Sequence, residues 1–212
     1  MSYTSQAQDW ANLNRYKKDN SNLSVPTKNE NRVVFMGNSI MESWASLNPS
    51  FFEGKPYINR GIGGQTTPQM LIRFRADVIN LQPKVVVILA GTNDIAENTG
   101  PTTLKAIFNN IASMAELAES NGIKVVLASV LPAFDYPWRT GKNPNIKIPE
   151  LNKMIKVYAK KKNFVFLDYF KKMSTSRNGF IEQYTYDGVH PNKEGYEFMG
   201  PLTEKAIKKA LK

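Results

Sequence analysis

The chain has no cysteine and only one histidine among its 212 residues, and each scarcity excludes certain kinds of site. Without cysteine there is no disulfide scaffold, no cysteine-ligated zinc and no thiol nucleophile. One histidine leaves only carboxylates as further metal ligands, so we expect no metal, and nothing else in the sequence indicates a cofactor. No run of about 18 or more apolar residues occurs, so we expect no transmembrane segment.

The N-terminus lacks the charged-then-apolar layout of a secretory signal. The sequence as written therefore predicts a cytoplasmic protein. A periplasmic or secreted location stays open as the alternative, because export signals are removed from mature proteins.

Acidic residues are fewer than basic ones, and the formal net charge is +10. The lysines cluster in residues 156–162 and 205–212, at the ends of expected helices. Cations there suit the helix dipole and the solvated face of a helix. No arginine–aromatic alternation or known nucleic-acid motif accompanies them, so we expect no nucleic-acid partner.

Short runs of β-favouring residues alternate with segments of helical spacing along the chain. Three of the runs are nearly continuous in valine, isoleucine and leucine, which is typical of parallel strands buried on both faces. Strand alternating with helix predicts a doubly wound α/β sandwich, which we expect to be a single domain over residues 1–212. The predicted strands lie at residues 32–37, 56–61, 84–91, 124–130 and 164–170.

Three other segments carry structural expectations of their own. Residues 1–30 are expected to add a helical extension outside the sheet. Residues 131–149 contain four prolines and no periodicity, which predicts a long loop that lines a site or is disordered. Residues 192–211 predict a last helix that is interrupted at Gly200–Pro201.

Polar residues follow the predicted strands at the edge where a parallel sheet collects functional groups. Ser39 follows the first strand at the mouth of a helix, and the single histidine, His190, comes three residues after Asp187. A serine hydroxyl is a weak nucleophile until a base takes its proton, and a carboxylate fixes the tautomer of that base. Asp187 can therefore orient His190, which can activate Ser39 if the C-terminal turn folds over the first strand.

The oxyanion that such an attack creates needs preorganised hydrogen-bond donors. The Ser39 N–H at a helix start is one candidate. A glycine N–H in "GIGG" (61–64) is a second, because a residue without a side chain lets its backbone approach the substrate. The Asn93 amide, after the third strand, is a third. Each also has a structural explanation, since glycines make turns and asparagines cap helices.

These motifs, in this order, resemble the SGNH hydrolases, also called the GDSL lipase/esterase family, over roughly residues 32–200. "GNSI" resembles the first block of the family, "NRGIGGQTT" the second, "GTND" the third and "DGVHPN" the last. The resemblance implies a flavodoxin-like, three-layer sandwich around a five-stranded parallel sheet. It also implies the roles of the site residues: Ser39 as nucleophile, His190 and Asp187 as its partners, and Ser39, Gly64 and Asn93 as oxyanion donors.

The sequence departs from the family at Asn38, where the family has aspartate. Asparagine keeps most of the hydrogen-bonding capacity of aspartate and loses only the charge. We therefore expect a small change in the local turn and almost none in the chemistry. The functional role of Asp94, beside Asn93, stays open.

Within the family, the sequence is similar to small bacterial esterases that include carbohydrate acetylesterases and platelet-activating-factor-acetylhydrolase-like proteins. This similarity implies a carboxylic ester hydrolase for short acyl groups, with O-acetyl esters of small molecules or glycans as the expected substrates. Lysophospholipase, platelet-activating-factor-acetylhydrolase-like, arylesterase and thioesterase activities stay open, and so does homo-oligomerisation. Trp138 and Arg139 are candidate substrate contacts, although the aromatic residues of their loop could equally pack onto the sheet.

Functions of other classes are disfavoured by particular features. A flavodoxin binds flavin mononucleotide after the first and third strands of this fold, but the Ser39 loop lacks the run of hydroxyl and glycine residues that would hold a phosphate. A metal-dependent hydrolase lacks ligands other than carboxylates. A protein that only binds is disfavoured because every position needed for the chemistry is filled.

Overall fold

The structure, a computed structural model, describes residues 9–212, in which strands and helices alternate. Single turns of 3₁₀ helix connect some of them, at Pro49–Phe51, Ile79–Leu81 and Glu182–Tyr184. In chain order the helices and strands of this part of the chain are α1 (Lys17–Ser21), β1 (Val33–Gly37), α2 (Ser39–Leu47), β2 (Tyr57–Gly61), α3 (Thr67–Asp77), β3 (Val85–Leu89), α4 (Thr92–Ile95), α5 (Leu104–Ser120), β4 (Lys124–Ala128), α6 (Pro144–Lys161), β5 (Val165–Leu167), α7 (Phe170–Met173) and α8 (Lys193–Ala210).

The strands of residues 9–212 form one five-stranded parallel sheet in the order β2-β1-β3-β4-β5. β1 and β3 pair along their whole lengths, and every residue of both strands is buried. The strand order reverses between β1 and β3, so the loops that follow these strands flank one crevice at the carboxyl edge. The predicted doubly wound sandwich with a five-stranded parallel sheet is confirmed.

Helices cover both faces of the sheet, which explains the unbroken apolar runs in its central strands. Successive side chains of a strand point to opposite faces. Val34 lies in the core beneath α3, α5 and α6, whereas Phe35 lies in the core beneath α2 and α8. A polar residue at either position would be buried without a partner, so both faces of β1 select apolar residues.

The predicted break at Gly200–Pro201 is wrong, because α8 runs without interruption from Lys193 to Ala210. Pro201 is exposed, so its ring lies on the solvent side, and the helix loses one backbone hydrogen bond there. The opposite face of α8 packs along the sheet, with Tyr196 and Met199 fully buried. This packing keeps the two halves of the helix in line.

The predicted loop over residues 131–149 ends earlier than expected, because α6 begins at Pro144. Proline suits the first position of a helix, where its missing N–H would have no helical partner in any case. Pro149 lies inside α6 and leaves the carbonyl of Asn145 without its helical donor. That carbonyl accepts a hydrogen bond from Asn178 Nδ2 (3.0 Å) instead, so the helix tolerates the proline.

Of the helical extension predicted for residues 1–30, residues 1–8 lie outside the described residues. Between residues 9 and 30, α1 is the one α-helix, and the remaining residues form turns and irregular chain. The carboxylate of Asp9 accepts hydrogen bonds from the N–H groups of Leu13 (2.8 Å) and Asn14 (2.9 Å), which hold a turn in place of a helix. Among residues 9–212, no helix is long and apolar enough to cross a membrane.

Candidate active site

Ser39 is the first residue of α2 and lies at the carboxyl edge of the sheet, directly after β1. Asn38 separates the two elements and caps the helix, since its Oδ1 accepts a hydrogen bond from Ile40 N–H (3.0 Å). Gly61, at the end of β2, lets the start of α2 approach the sheet, because a Cβ there would lie 2.1 Å from Glu42 N. The local sequence thus fixes the Ser39 hydroxyl at the edge where parallel strands end.

The C-terminal turn brings His190 and Asp187 to Ser39, as the sequence predicts. Ser39 Oγ lies 3.0 Å from His190 Nε2, and His190 Nδ1 lies 2.7 Å from Asp187 Oδ2. The other carboxylate oxygen, Asp187 Oδ1, accepts hydrogen bonds from the N–H groups of Val189 (2.9 Å) and His190 (2.7 Å). Gly188 closes the turn with a φ of +83°, a conformation that favours glycine. These hydrogen bonds connect the serine hydroxyl, the imidazole and the carboxylate in sequence.

Two opposed effects set the ionisation of Asp187. Partial burial raises the pKa of its carboxyl group, but hydrogen bonds from the His190 N–H, the His190 imidazole and the Val189 N–H outweigh burial. The net result is a pKa below the ordinary value for aspartate. Asp187 is therefore an ionised acceptor for the His190 ring at neutral pH.

The three predicted oxyanion donors lie on neighbouring segments of this edge. Gly64 has a φ of +74°, so its N–H direction depends on a backbone conformation that favours glycine. Among the described residues, neither the Ser39 N–H nor the Gly64 N–H has a hydrogen-bond acceptor. Asn93 Nδ2 donates to the carbonyl of Gln65 (3.0 Å), which leaves its second amide hydrogen available.

Arg73, which the sequence analysis does not single out, holds the loop Gly61–Gln65, which contains the predicted oxyanion donor Gly64. Its side chain is fully buried and donates to Gln65 Oε1 (2.6 Å), to the Gly37 carbonyl (3.0 Å) and to Asp77 Oδ2 (2.9 Å). Burial lowers the pKa of the Arg73 guanidinium, while Asp77 acts in the opposite direction. The sequence does contain a signal for this ion pair, because an arginine lies in the apolar stripe of α3 with an aspartate four residues later.

Asp94, whose role the sequence left open, anchors the start of α3. Both of its carboxylate oxygens lie 3.0 Å from Thr67 N, and Oδ1 also accepts a hydrogen bond from Thr67 Oγ1 (2.6 Å). Burial raises the pKa of Asp94 to about 6, although the Thr67 hydrogen bonds partly oppose the shift. Asp94 thereby connects the segment that contains Asn93 to the first residue of α3.

Aromatic side chains lie beside the imidazole. The rings of Trp138 and Tyr186 have centroids 5.8 Å and 5.7 Å from that of His190, and both residues are exposed. Tyr136 behaves differently, because it is fully buried and its hydroxyl lies 2.9 Å from Thr92 Oγ1. The aromatic residues of this loop therefore have different environments. Trp138 lies beside His190, whereas Tyr136 packs in the core. Arg139, the other candidate substrate contact, donates a hydrogen bond to the Glu97 carbonyl (2.9 Å) and forms no hydrogen bond with Ser39 or His190.

The groups gathered at this edge suit acyl transfer. They comprise a hydroxyl beside an imidazole, a carboxylate behind the imidazole, and N–H donors at the ends of neighbouring strands. Within residues 9–212, no three histidine, aspartate or glutamate side chains lie close enough together to ligate a metal ion.

Comparison with known proteins gives consistent matches. A model of the GDSL-like lipase/acylhydrolase family matches residues 35–198. A GDSL-like lipase from Bacteroides thetaiotaomicron has a solved structure with a TM-score of 0.92 and 52% sequence identity, covering 94% of this chain and 98% of that chain. The acetylxylan esterase of Xylanibacter ruminicola is 25% identical over 222 residues, which cover 87% of this chain and 45% of that protein.

A mammalian relative matches along more of its own length. Platelet-activating factor acetylhydrolase IB subunit alpha2 of Homo sapiens is 28% identical over 211 residues, covering 93% of this chain and 86% of that protein. By contrast, the chain spans less than half the length of three other curated relatives that it matches, the acetylxylan esterase included.

Proposed function

The chain belongs to the GDSL-like lipase/acylhydrolase family, and we propose that it is a serine esterase that removes short acyl groups, chiefly O-acetyl groups, from carbohydrate. The observation that carries this proposal is the continuous line from Ser39 Oγ through the His190 ring to Asp187 Oδ2, with contacts of 3.0 Å and 2.7 Å. These are hydrogen-bond distances, so a proton can pass from hydroxyl to imidazole without rearrangement.

In the proposed reaction, Ser39 Oγ attacks the ester carbonyl while His190 Nε2 takes the hydroxyl proton. The carbonyl oxygen becomes an oxyanion, which accepts hydrogen bonds from Ser39 N–H, Gly64 N–H and Asn93 Nδ2. The carbon–oxygen bond to the leaving alcohol then breaks, and His190 returns the proton to that alcohol. Asp187 stabilises the imidazolium that exists between the two transfers.

The second half of the reaction releases the acid. A water molecule attacks the acyl group on Ser39, and His190 takes a proton from that water. The Ser39–acyl bond breaks, His190 protonates Ser39 Oγ, and the carboxylic acid leaves. Each half uses the same donors for the oxyanion, so one site serves both tetrahedral intermediates.

Carbohydrate is the proposed leaving group because a relative that covers most of this chain is an acetylxylan esterase. The exposed rings of Trp138 and Tyr186 beside His190 also suit contact with a sugar. The second candidate is an acetylated phospholipid, favoured by the match to platelet-activating factor acetylhydrolase over 86% of that protein. Acetate release from acetylated xylooligosaccharides, compared with release from an acetyl phospholipid, separates the two.

The role of Ser39 is tested with Ser39→Ala on p-nitrophenyl acetate. We expect kcat to fall by about 10⁴- to 10⁶-fold, because the nucleophile is lost, while the urea unfolding midpoint changes little. Ser46→Ala is the matched control, since Ser46 is an exposed serine of the same helix whose hydroxyl donates to a backbone carbonyl. If Ser39→Ala kept more than about a tenth of the rate, the serine mechanism would be excluded.

A further inference from the structure

A cavity of about 530 Å³ adjoins the turn that carries Asp187 and His190. We call it the side cleft. One wall is the loop after β4, and the other is the segment that follows α7. The proposed chemistry uses only one of the residues around it, Asp187. The lining residues that matter here are Phe134, Asp135, Thr140, Ser176, Arg177 and Gly188.

The side cleft adjoins the turn toward which a leaving group extends. The oxyanion donors Gly64 and Asn93 hold the carbonyl oxygen on one side of Ser39, whereas His190 must reach the leaving oxygen to return its proton. The alcohol portion of an ester therefore extends toward His190. Asp187 and Gly188, which line the cleft, belong to the turn that carries His190, so we expect the part of the alcohol that continues past the imidazole to meet the cleft.

Hydrogen bonds within each wall hold the cleft open. Asp135 Oδ1 accepts hydrogen bonds from the N–H groups of Tyr136 (2.9 Å) and Gly141 (3.1 Å), which fix the first wall. In the second wall, Thr175 N–H donates to the Gly179 carbonyl (2.8 Å) and Gly179 N–H donates to Thr175 Oγ1 (3.2 Å). A preformed cleft costs less ordering when a ligand binds.

The walls contact one another at Phe134. Phe134 is 46% exposed, and the Arg177 guanidinium carbon lies 4.5 Å from its ring centroid. The backbone of Gly179 packs close by, because a Cβ added there would be 3.2 Å from Phe134 Cβ. The Arg177 guanidinium therefore lies over one face of the Phe134 ring and brings hydrogen-bond donors to the cleft.

The charges around the cleft favour a neutral ligand with many hydroxyl groups. Two carboxylates, those of Asp135 and Asp187, and one guanidinium, that of Arg177, line the cleft, so an anion gains little net attraction. The hydroxyls of Thr140 and Ser176, together with the remaining lone pair of Asp135 Oδ2, can exchange hydrogen bonds with a polyol. An aromatic surface ringed by such groups suits a sugar ring.

We propose that the side cleft is a subsite for a neutral sugar residue next to the one that carries the acyl ester. The proposal rests on the proposed carbohydrate esterase function and extends it from single sugars to oligosaccharides. The competing ligand is a phosphocholine headgroup, whose quaternary ammonium could also lie between the carboxylates and the aromatic ring.

The test compares a small ester with a long one in two variants of the cleft. Phe134→Ala removes the aromatic surface, and Ser176→Trp fills the space from an exposed position. With acetylated xylotriose, we expect kcat/KM to fall about 5- to 10-fold for Phe134→Ala and by at least as much for Ser176→Trp. With p-nitrophenyl acetate, whose leaving group does not extend into the cleft, both variants should stay within about 2-fold. Ile146→Ala, at an exposed apolar residue outside the cleft, is the matched control.

A binding measurement separates failure of the subsite from failure of the proposed function. Unacetylated xylotriose is titrated into Ser39→Ala, with and without Phe134→Ala, by isothermal calorimetry; weaker binding in the double variant supports the subsite. If the wild-type protein hydrolyses acetylated xylotriose and neither cleft variant changes the rate, the subsite is overturned and the esterase function stands. If only p-nitrophenyl acetate is hydrolysed and xylotriose does not bind, both proposals fail. A loss confined to an acetyl phospholipid substrate would replace the sugar with a phosphocholine headgroup.

Discussion

The two sides of the candidate site are built differently. One side, called here the oxyanion side, contains the proposed oxyanion donors in the loop Gly61–Gln65 and at Asn93. Arg73 and Asp94 support these segments, and the side chains of Arg73, Asn93 and Asp94 are almost completely buried. On the histidine side, the turn Thr185–His190 is partly open to solvent, and Tyr186 is 62% exposed. Hydrogen bonds between distant segments hold the oxyanion side, whereas hydrogen bonds within one turn mainly hold the histidine side.

This difference fits what each side must do. Donors that stabilise an oxyanion must already be oriented before charge develops, and they act most strongly where water is excluded. A base must exchange protons with leaving groups and water, so it needs access to solvent. We infer that a substitution on the oxyanion side lowers both stability and rate, whereas one on the histidine side lowers the rate far more than the stability.

The largest effect in this comparison is expected from Asp187→Asn on the histidine side. The amide cannot hold the His190 tautomer as the carboxylate does, so kcat for p-nitrophenyl acetate should fall by about 10³- to 10⁴-fold. The free energy of unfolding at pH 7 should change far less than for a buried charge, because the turn is half open. Asp19→Asn, at an exposed aspartate of α1, is the control. A rate within tenfold of wild type would show that His190 works without Asp187.

A smaller loss of rate is expected from Asn93→Ala on the oxyanion side. Two other donors remain, so kcat should fall by about 10²- to 10³-fold. Because Asn93 Nδ2 also donates to the Gln65 carbonyl, the urea midpoint should fall as well, and by more than that of Asp187→Asn. Asn80→Ala, an exposed asparagine away from the site, controls for the general cost of the substitution. An unchanged rate with a lowered midpoint would leave Asn93 a structural role only.

The smallest effect concerns the pH dependence of stability on the oxyanion side. Burial raises the pKa of Asp94 to about 6 in the folded protein, from an ordinary value of 3.8. Between these values the folded state binds more protons than the unfolded state, so the free energy of unfolding falls as pH rises from 4 to 7. We expect wild type to lose about 1–3 kcal/mol over this range relative to Asp94→Asn, measured by urea unfolding at both pH values.

The comparison with Asp94→Asn isolates this one group. The lowered pKa of Asp187 acts in the opposite direction, since its stabilisation is present above the unfolded value and is lost at lower pH. Both proteins contain Asp187, so its contribution cancels in the difference. Parallel stability curves for the two proteins would show that Asp94 ionises as an ordinary aspartate.

Local pattern predicted the parts of this protein that depend on neighbouring residues. The apolar runs of β1 and β3 indicated buried parallel strands, and the order of residues after the strands indicated where Ser39, the glycines of residues 61–64 and Asn93 would lie. The carboxyl ends of parallel strands lie at one edge of the sheet, so the position of these residues at that edge follows from the sequence without knowledge of side-chain packing.

Contacts between distant segments were decided only by the tertiary structure. Three contacts join residues far apart in sequence. They are the bond from Arg73 to the Gly37 carbonyl, the anchoring of Thr67 by Asp94, and the Asn178 amide that lets α6 contain Pro149. The unbroken course of α8 through Pro201 likewise depends on its packing against the sheet. Sequence periodicity records which face of an element is apolar, whereas the partner of a buried polar group depends on which segments the fold brings together.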